Sequence, residues 1–93
     1  MDRYPTTEII GKTIKGVVIK YPKEYRTGYQ SIFLVFTDDT ALEICTAGPE
    51  LRFGGDLWDG GMEHARRYVS DAFRVFYEAY QDDQGEIVEK LDW

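Results

Sequence analysis

The strongest constraint on the fold is a short segment with no polar face. Ser31 to Thr37 reads SIFLVFT, so both sets of alternating side chains are apolar. A strand that is apolar on both faces is typical of the centre of a sheet. Asp38-Asp39 then predicts a tight turn, because aspartate tolerates the left-handed backbone region and bonds its own backbone. Thr40 to Thr46 (TALEICT) is predicted to return as the antiparallel partner.

Two further segments complete the first half of the chain. Glu8 to Tyr21 is rich in isoleucine and valine with alternating lysines, which predicts a strand that Pro22 ends. The first three strands are expected to form an antiparallel meander. Ala47 to Gly61 contains Pro49 and five glycines and is predicted to be a long connection.

The chain after Gly60 supports two interpretations. A helix is expected to begin there, with Asp59 as its N-cap. Helical spacing continues from Met62 to Tyr80, which would allow one helix of about twenty residues. The succession RVFYEAY, DDQG and EIVEKL instead predicts a β-hairpin in which Gly85 takes a positive φ. We favour a helix to about Ser70 and then this hairpin, which would extend the sheet.

Together these elements predict an α+β fold, with an antiparallel sheet of about five strands and one helix packed on a face. On that helix, Met62, Ala65 and Val69 are expected to cover Phe33 and Val35 or their opposite-facing neighbours. We expect residues 1–93 to form a single domain, because domains most often hold about 100–150 residues.

The net charge of −6 is unevenly distributed. Residues 1–30 hold six basic against three acidic residues, whereas residues 31–61 hold one against six and residues 62–93 four against eight. An acidic protein repels phosphate backbones, so duplex nucleic acid is not an expected partner. No apolar run approaches the about 20 residues of a membrane span, and no basic-then-apolar leader is seen. With one cysteine, Cys45, the composition predicts a cytoplasmic protein.

Few residues could carry catalysis or hold a metal. Zinc sites need three or four clustered ligands, whereas His64 and Cys45 are the only residues of their types. Cys45 is expected to be a small buried side chain beside Ile44. The acid pairs Asp38-Asp39 and Asp82-Asp83 fall in predicted turns, which lack the unequal environments of an acid–base pair. We therefore predict no enzyme activity, no metal and no cofactor.

The most unusual composition is FGGDLWDGG, residues 53–61. Its glycines match neither a phosphate-binding loop nor a dinucleotide fingerprint, and its aspartates lack the alternate spacing of a calcium loop. We interpret the segment as a flexible joint in which Leu57 and Trp58 plug the sheet edge. The alternative is a mobile lid in which Trp58 contacts a ligand or partner, since tryptophan is enriched among binding hot spots.

Residues 20–30 (KYPKEYRTGYQ) interleave basic and aromatic side chains. That pattern combines phosphate attraction with stacking, which suits a nucleotide or unstacked nucleic acid. The structural alternative is that the tyrosines pack over the sheet edge while the lysines keep it soluble. The candidate ligand-binding residues are Lys20, Tyr21, Lys23, Tyr25, Arg26 and Tyr29.

Two functions remain open from the sequence. The first is a small acidic interaction protein that binds and occludes a larger partner with a basic surface, as inhibitors and immunity-type proteins do. A phage-encoded inhibitor of a host enzyme that targets nucleic acid fits this profile. Its candidate partner-binding residues are Asp56, Trp58, Asp59 and Trp93.

The alternative is an oligomeric binder, or sponge, of an anionic or nucleotide-like small molecule. A chain of 93 residues has little room for a pocket of about 300 Å³ within one core. The site would therefore lie between subunits of a homo-oligomer.

Overall fold

The computed structural model describes residues 6–23, 30–47, 50–53, 57–68 and 73–91. These ranges form two short helices and seven strands, mostly as antiparallel sheet. The helices are α1 (Thr6–Ile9) and α2 (Gly61–Arg67). The strands are β1 (Ile14–Pro22), β2 (Ser31–Phe36), β3 (Thr40–Ala47), β4 (Glu50–Phe53), β5 (Trp58–Asp59), β6 (Phe73–Gln81) and β7 (Ile87–Leu91). No helix in the described ranges has the length and apolar character needed to span a membrane.

The sheet has the order β4-β3-β2-β1-β6-β7, and β5 pairs with β3. All its pairings are antiparallel. The predicted meander of β1, β2 and β3 is confirmed, and so is the later hairpin, which extends the sheet by pairing β6 with β1. The sheet has seven strands rather than about five, because β4 and β5 form within the segment predicted to be a connection. Leu51 of β4 pairs with Thr46, and Trp58 of β5 pairs with Ala41.

Both hairpin turns have the predicted chemistry. Asp39 has φ 64°, and the Asp38 Oδ1 atom accepts a hydrogen bond from the Thr40 amide at 3.1 Å. In the second turn Gly85 has φ 81°, and its amide donates to the Asp82 carbonyl at 3.0 Å. Aspartate and glycine are suited to these positions because they enter the left-handed region at low cost.

Three predicted boundaries are wrong. β1 begins at Ile14 rather than Glu8, because α1 and a turn precede it and Gly11 has φ 87°. Helix α2 ends at Arg67 rather than near Ser70, since Tyr68 already has an extended ψ of 124°. The N-cap of α2 is Gly60, with φ 118° and no side-chain cap, because Asp59 is held in β5 opposite Thr40.

The alternation of side chains gives the sheet two different faces. We call the first the buried face; its side chains in the three strands of the meander are all nearly inaccessible to solvent. They are Gly16, Val18, Lys20, Ser31, Phe33, Val35, Ala41, Glu43 and Cys45. Ala65 of α2 is fully buried in one cluster with Phe33 and Val35.

We call the opposite side the open face. It includes the half-buried residues Val17, Ile19, Ile32, Leu34 and Ile44, which alternate with the residues of the buried face. Phe36 and Leu42 also belong to this face and are only 2% and 1% exposed, so the open face is fully covered only around these two residues. β2 was predicted to be apolar on both faces, and the structure shows that these two faces are buried to different extents.

Candidate interaction surfaces

Lys20 is a charged residue in the interior. Its side chain is only 1% exposed, and its Nζ atom donates to the carbonyls of Ala65, Arg66 and Tyr68. The bond to Arg66 measures 3.0 Å. These carbonyls lie at the C-terminal end of α2, where helical carbonyl groups lack partners and a cation is favoured. Burial lowers the Lys20 pKa, and the negative charge of Glu43 opposes that shift.

Glu43 is the second ionisable group of the buried face, 8% exposed. Burial raises its pKa, while the hydroxyl of Ser31, which donates to Oε2 at 3.0 Å, and the charge of Lys20 act in the opposite direction. The Ser31 hydroxyl is itself 4% exposed and occupied by this bond. A nucleophile needs access to substrate and a base that accepts its proton. The arrangement therefore suits a structural network better than nucleophilic catalysis.

The two acidic turns lie at the same end of the sheet. β2 and β6 both pair with β1 in antiparallel fashion, so they run parallel to each other and end on the same side, about 10 Å apart. β5 ends there as well, because Asp59 pairs with Thr40. We call this surface the acidic end. Its acids are Asp38, Asp39, Asp59, Asp82, Asp83 and Glu86, and its bases are Lys12 and Lys15.

The two lysines reduce the negative charge of the acidic end without cancelling it. Lys12 pairs with Asp38, and this hydrogen bond is the main reason that the pKa of Asp38 falls to about 2. Lys15 pairs with Asp39 and also lines a cleft of about 330 Å³ with Asp82 and Asp83. Among the described residues, these six acids and two lysines give a formal charge of −4, and Arg66 lines the same cleft as Lys15, Asp82 and Asp83.

A second cleft, of about 460 Å³, is lined by Arg66, Val75, Glu78 and Lys90. Arg66 and Lys90 both lie over the ring of Tyr80, at 5.4 and 5.9 Å from its centroid. The guanidinium of Arg66 also makes two hydrogen bonds with Glu78, at 2.7 and 3.2 Å, and these raise the Arg66 pKa. Because the buried carboxylate of Glu78 already pairs with Arg66 and lies 4.0 Å from Lys90, this cleft is not arranged to attract an anion.

Trp58 is half-buried against the interior. Its ring meets those of Phe33 and Tyr68 edge-to-face, at centroid distances of 5.7 and 3.9 Å, and lies 4.9 Å from His64. Such aromatic pairs add stability beyond the buried area. The contacts place the Trp58 ring against the buried cluster that contains Phe33, and a partner-binding role for it stays a prediction.

The structure separates the residues of segment 20–30 that it describes. Lys20 points into the interior, whereas Lys23 is exposed. Tyr21 is half-buried, with its ring 4.6 Å from that of Phe76. Tyr25, Arg26 and Tyr29 lie outside the described residues, and so do two partner candidates, Asp56 and Trp93. Asp59 is exposed at the acidic end.

Sequence reasoning missed the buried role of Lys20 and the joining of the two acidic turns. For Lys20 a signal was present, because Gly16, Val18 and Lys20 alternate on one side of a strand whose other side is also apolar. For the turns there was none, since their proximity depends on the pairing of β6 with β1, whose partners, from Pro22 with Phe73 to Gly16 with Tyr80, are far apart in the sequence.

No protein-family model, curated protein or solved structure matches this chain. Within the described ranges, no group of three or more His, Cys, Asp or Glu side chains is placed to hold a metal ion. Proposals about function therefore depend on the surfaces of the molecule alone.

Proposed function

We propose that this protein is a non-enzymatic interaction protein, and that its acidic end binds and occludes a basic surface of a larger protein. The observation that carries the proposal is the convergence of two acidic turns and Asp59 at one end of the sheet. Neither turn alone would present more than three acids. Together they place six acids at one end of the sheet, with Lys12 and Lys15 near the start of β1 between the two turns.

The acidic end is supported by a stable framework. The backbone amides of Gly60 and Gly61 both donate to the Asp39 carbonyl at 3.0 Å, which ties the start of α2 to the first turn. In the second turn Asp82 Oδ1 accepts from the amides of Gln84 and Glu86 at 3.0 and 2.9 Å. A preorganised surface loses little conformational entropy on binding.

The proposal includes α2 as the one helix packed on the buried face. The complete burial of Ala65 beside Val18, and the three carbonyls at the end of α2 that face Lys20, support this arrangement. It would hold the Gly60-Gly61 junction, and with it Asp59, in a constant position relative to the sheet.

The opposite end of the sheet has a different charge. Among the described residues it includes Lys23, Arg52 and Arg74, and one acid, Glu50, which pairs with Arg52. A molecule that is acidic at one end and basic at the other is oriented by the field of its partner before contact. Association through the acidic end should therefore be fast and should weaken as salt screens charges beyond about 8–10 Å.

The proposal is tested by capture of partners from the source cells with the tagged protein, followed by quantitative mass spectrometry. The test variant is Asp83→Lys with Glu86→Lys, because both side chains are exposed. The control is Glu50→Lys, an exposed acid at the opposite end. We expect the wild type and the control to capture the same basic protein, and the test variant or added salt to release it.

Capture that is equal for all three proteins and insensitive to salt would contradict the proposal. Native mass spectrometry of the protein as purified addresses the alternative, an oligomeric binder of an anionic or nucleotide-like molecule. A retained mass of a few hundred daltons would favour that alternative. Lys23→Glu should then remove the retained mass, whereas Asp83→Lys should leave it in place.

A further inference from the structure

The exposed apolar side chains of the strands all lie on the open face. Four large ones are strongly exposed: Ile14 by 52%, Leu51 by 68%, Ile87 by 68% and Leu91 by 54%. The strand register assigns each of them to the open face, because cross-strand partners share a face. Ile14 lies opposite Phe36, Leu51 opposite Thr46, and Ile87 and Leu91 opposite Gln81 and Tyr77.

We propose that a second copy of this chain packs on the open face, so that two sheets meet face to face in a symmetric homodimer. Each copy would supply the apolar layer that the other lacks. A two-fold axis makes such an interface self-complementary, since the same surface is buried on both copies. Aligned sheets pack in this way at a separation of about 10 Å.

The size of the open face suits this occupant. Six strands in line, at a spacing of about 4.8 Å, give a width near 24 Å, and the central strands are about 20–30 Å long. The resulting flat area is roughly 500–700 Å². A stable interface buries about 800 Å² on each partner, and the projecting side chains add to the flat area. The molecule is also flat, measuring 39 × 38 × 20 Å.

The charge of the open face favours a second copy over the basic partner proposed above. Among the described strand residues, register places Arg74, Glu89 and, opposite Thr40 at one margin, Asp59 as charged groups on this face, so its formal charge is −1. A basic partner finds only this one unbalanced acid there, at the edge of the apolar surface. Two acidic copies, each with a net charge of −6, repel one another elsewhere and meet most easily through an apolar surface of low charge.

The distribution of the exposed residues also distinguishes this dimer from one formed by edge pairing. Leu51 lies on β4 at one edge of the sheet, Ile87 on β7 at the other edge, and Ile14 on the inner strand β1. Pairing of β7 with a second β7 would cover only one of these positions. Packing of the faces covers all three. Packing of the faces uses the strands and not the two acidic turns, and Asp59 is the one acid of the acidic end that lies at the margin of the open face.

Sedimentation velocity and light scattering over a concentration series test the proposal. The variants are Ile14→Glu, Leu51→Glu and Ile87→Glu, each at an exposed position where folding should be retained, as circular dichroism will check. The matched control is Ile10→Glu, which changes the charge equally at a side chain that is 80% exposed and outside the sheet. Because a two-fold axis relates the two copies, each substitution would occur twice in the interface.

We expect the wild type and Ile10→Glu to have twice the chain mass of 10.8 kDa. Each of the three test variants should raise the dimer dissociation constant by about 100-fold or more, because a carboxylate is desolvated without a partner. A wild type that stays monomeric at about 100 µM would overturn the proposal, since an interface of this size should associate there. So would weakening by Ile87→Glu alone, which indicates edge pairing, or equal weakening by Ile10→Glu.

Discussion

The two faces of the sheet reverse the usual arrangement, in which charged side chains face solvent and apolar side chains are buried. The buried face contains Lys20, Glu43 and Glu78, which are at most 8% exposed. The open face is largely apolar, and it holds the strongly exposed large apolar side chains of the strands.

The comparison shows two separate solutions to burial. On the buried face each charge has partners: three carbonyls for Lys20, a serine hydroxyl for Glu43 and a guanidinium for Glu78. Among the described side chains, no buried nitrogen or oxygen lacks a hydrogen-bond partner. Buried polar groups are tolerated on this condition. The open face has no buried charges of this kind. What it lacks is a second layer that covers its exposed apolar side chains.

The largest expected effect is on the buried face. Lys20→Met should lower the free energy of unfolding by about 3–5 kcal/mol, because it leaves the carbonyls at the end of α2 without their donor and Glu43 without the nearby positive charge. Urea unfolding measures the change. The control Lys23→Met, at an exposed position, should stay within about 0.5 kcal/mol of the wild type. A loss below about 1 kcal/mol for Lys20→Met would show that its bonds contribute little.

An intermediate effect compares the two faces at adjacent positions. Val18 is 0% exposed on the buried face, and Val17 is half-buried on the open face. We expect Val18→Ala to cost about 2–3 kcal/mol, from lost burial and a residual cavity. In dilute protein Val17→Ala should cost less than about 1 kcal/mol, since part of its surface is already wet.

Protein concentration sharpens this comparison. If the open face is the dimer interface, the cost of Val17→Ala should grow with concentration, whereas the cost of Val18→Ala should change little. Unfolding midpoints measured at two concentrations provide the test. Equal and concentration-independent costs at both positions would mean that the two faces are not different in the folded molecule.

The smallest expected effect is on pH dependence. Burial raises the Glu43 pKa, so the folded state holds that proton more tightly than the unfolded chain does. This contribution to stability is complete below the ordinary pKa of 4.5 and is lost as pH rises through the raised pKa. Glu43→Gln should therefore remove part of the decline in stability between pH 4.5 and neutrality.

Asp38 is the control for that measurement, because its pKa moves in the opposite direction. The hydrogen bond from Lys12 lowers it from 3.8 to about 2, so its contribution is present above pH 3.8 and is lost as pH falls through 2. Asp38→Asn should change stability only in this acid range. If both substitutions act over the same range of pH, the assignment of the Glu43 effect to burial is wrong.

Much of the fold could be predicted from local patterns. The hairpin around Asp38-Asp39 depends on alternation and turn chemistry within about fifteen residues, and so does the hairpin around Gly85. The end of α2 and the start of β1 could not be placed in this way, because Gly11 and Tyr68 interrupt apolar patterns that continue past them. β4 and β5 were also missed, since β3 supplies the backbone partners that make such short strands form.

The candidate surfaces were predicted less well than the strands. The two acid pairs were predicted to lie in turns, and Asp59 was predicted as an N-cap and a partner-binding residue, but these were treated as separate features. Segment 20–30 was assigned as one basic and aromatic surface, whereas Lys20 and Lys23 have opposite environments in the structure. Neighbours in a strand alternate between faces, so a run of similar residues need not share a surface.

By itself the sequence determined the five longer strands, the two tight turns and the acidic character of the chain, because these depend on residues close together along it. Only the tertiary structure decided that Lys20 meets the end of α2, that the acidic turns converge, and that one apolar face is buried more than the other. Each depends on the pairing of β6 with β1 or on the position of α2, and contacts between distant segments are not encoded in any local pattern.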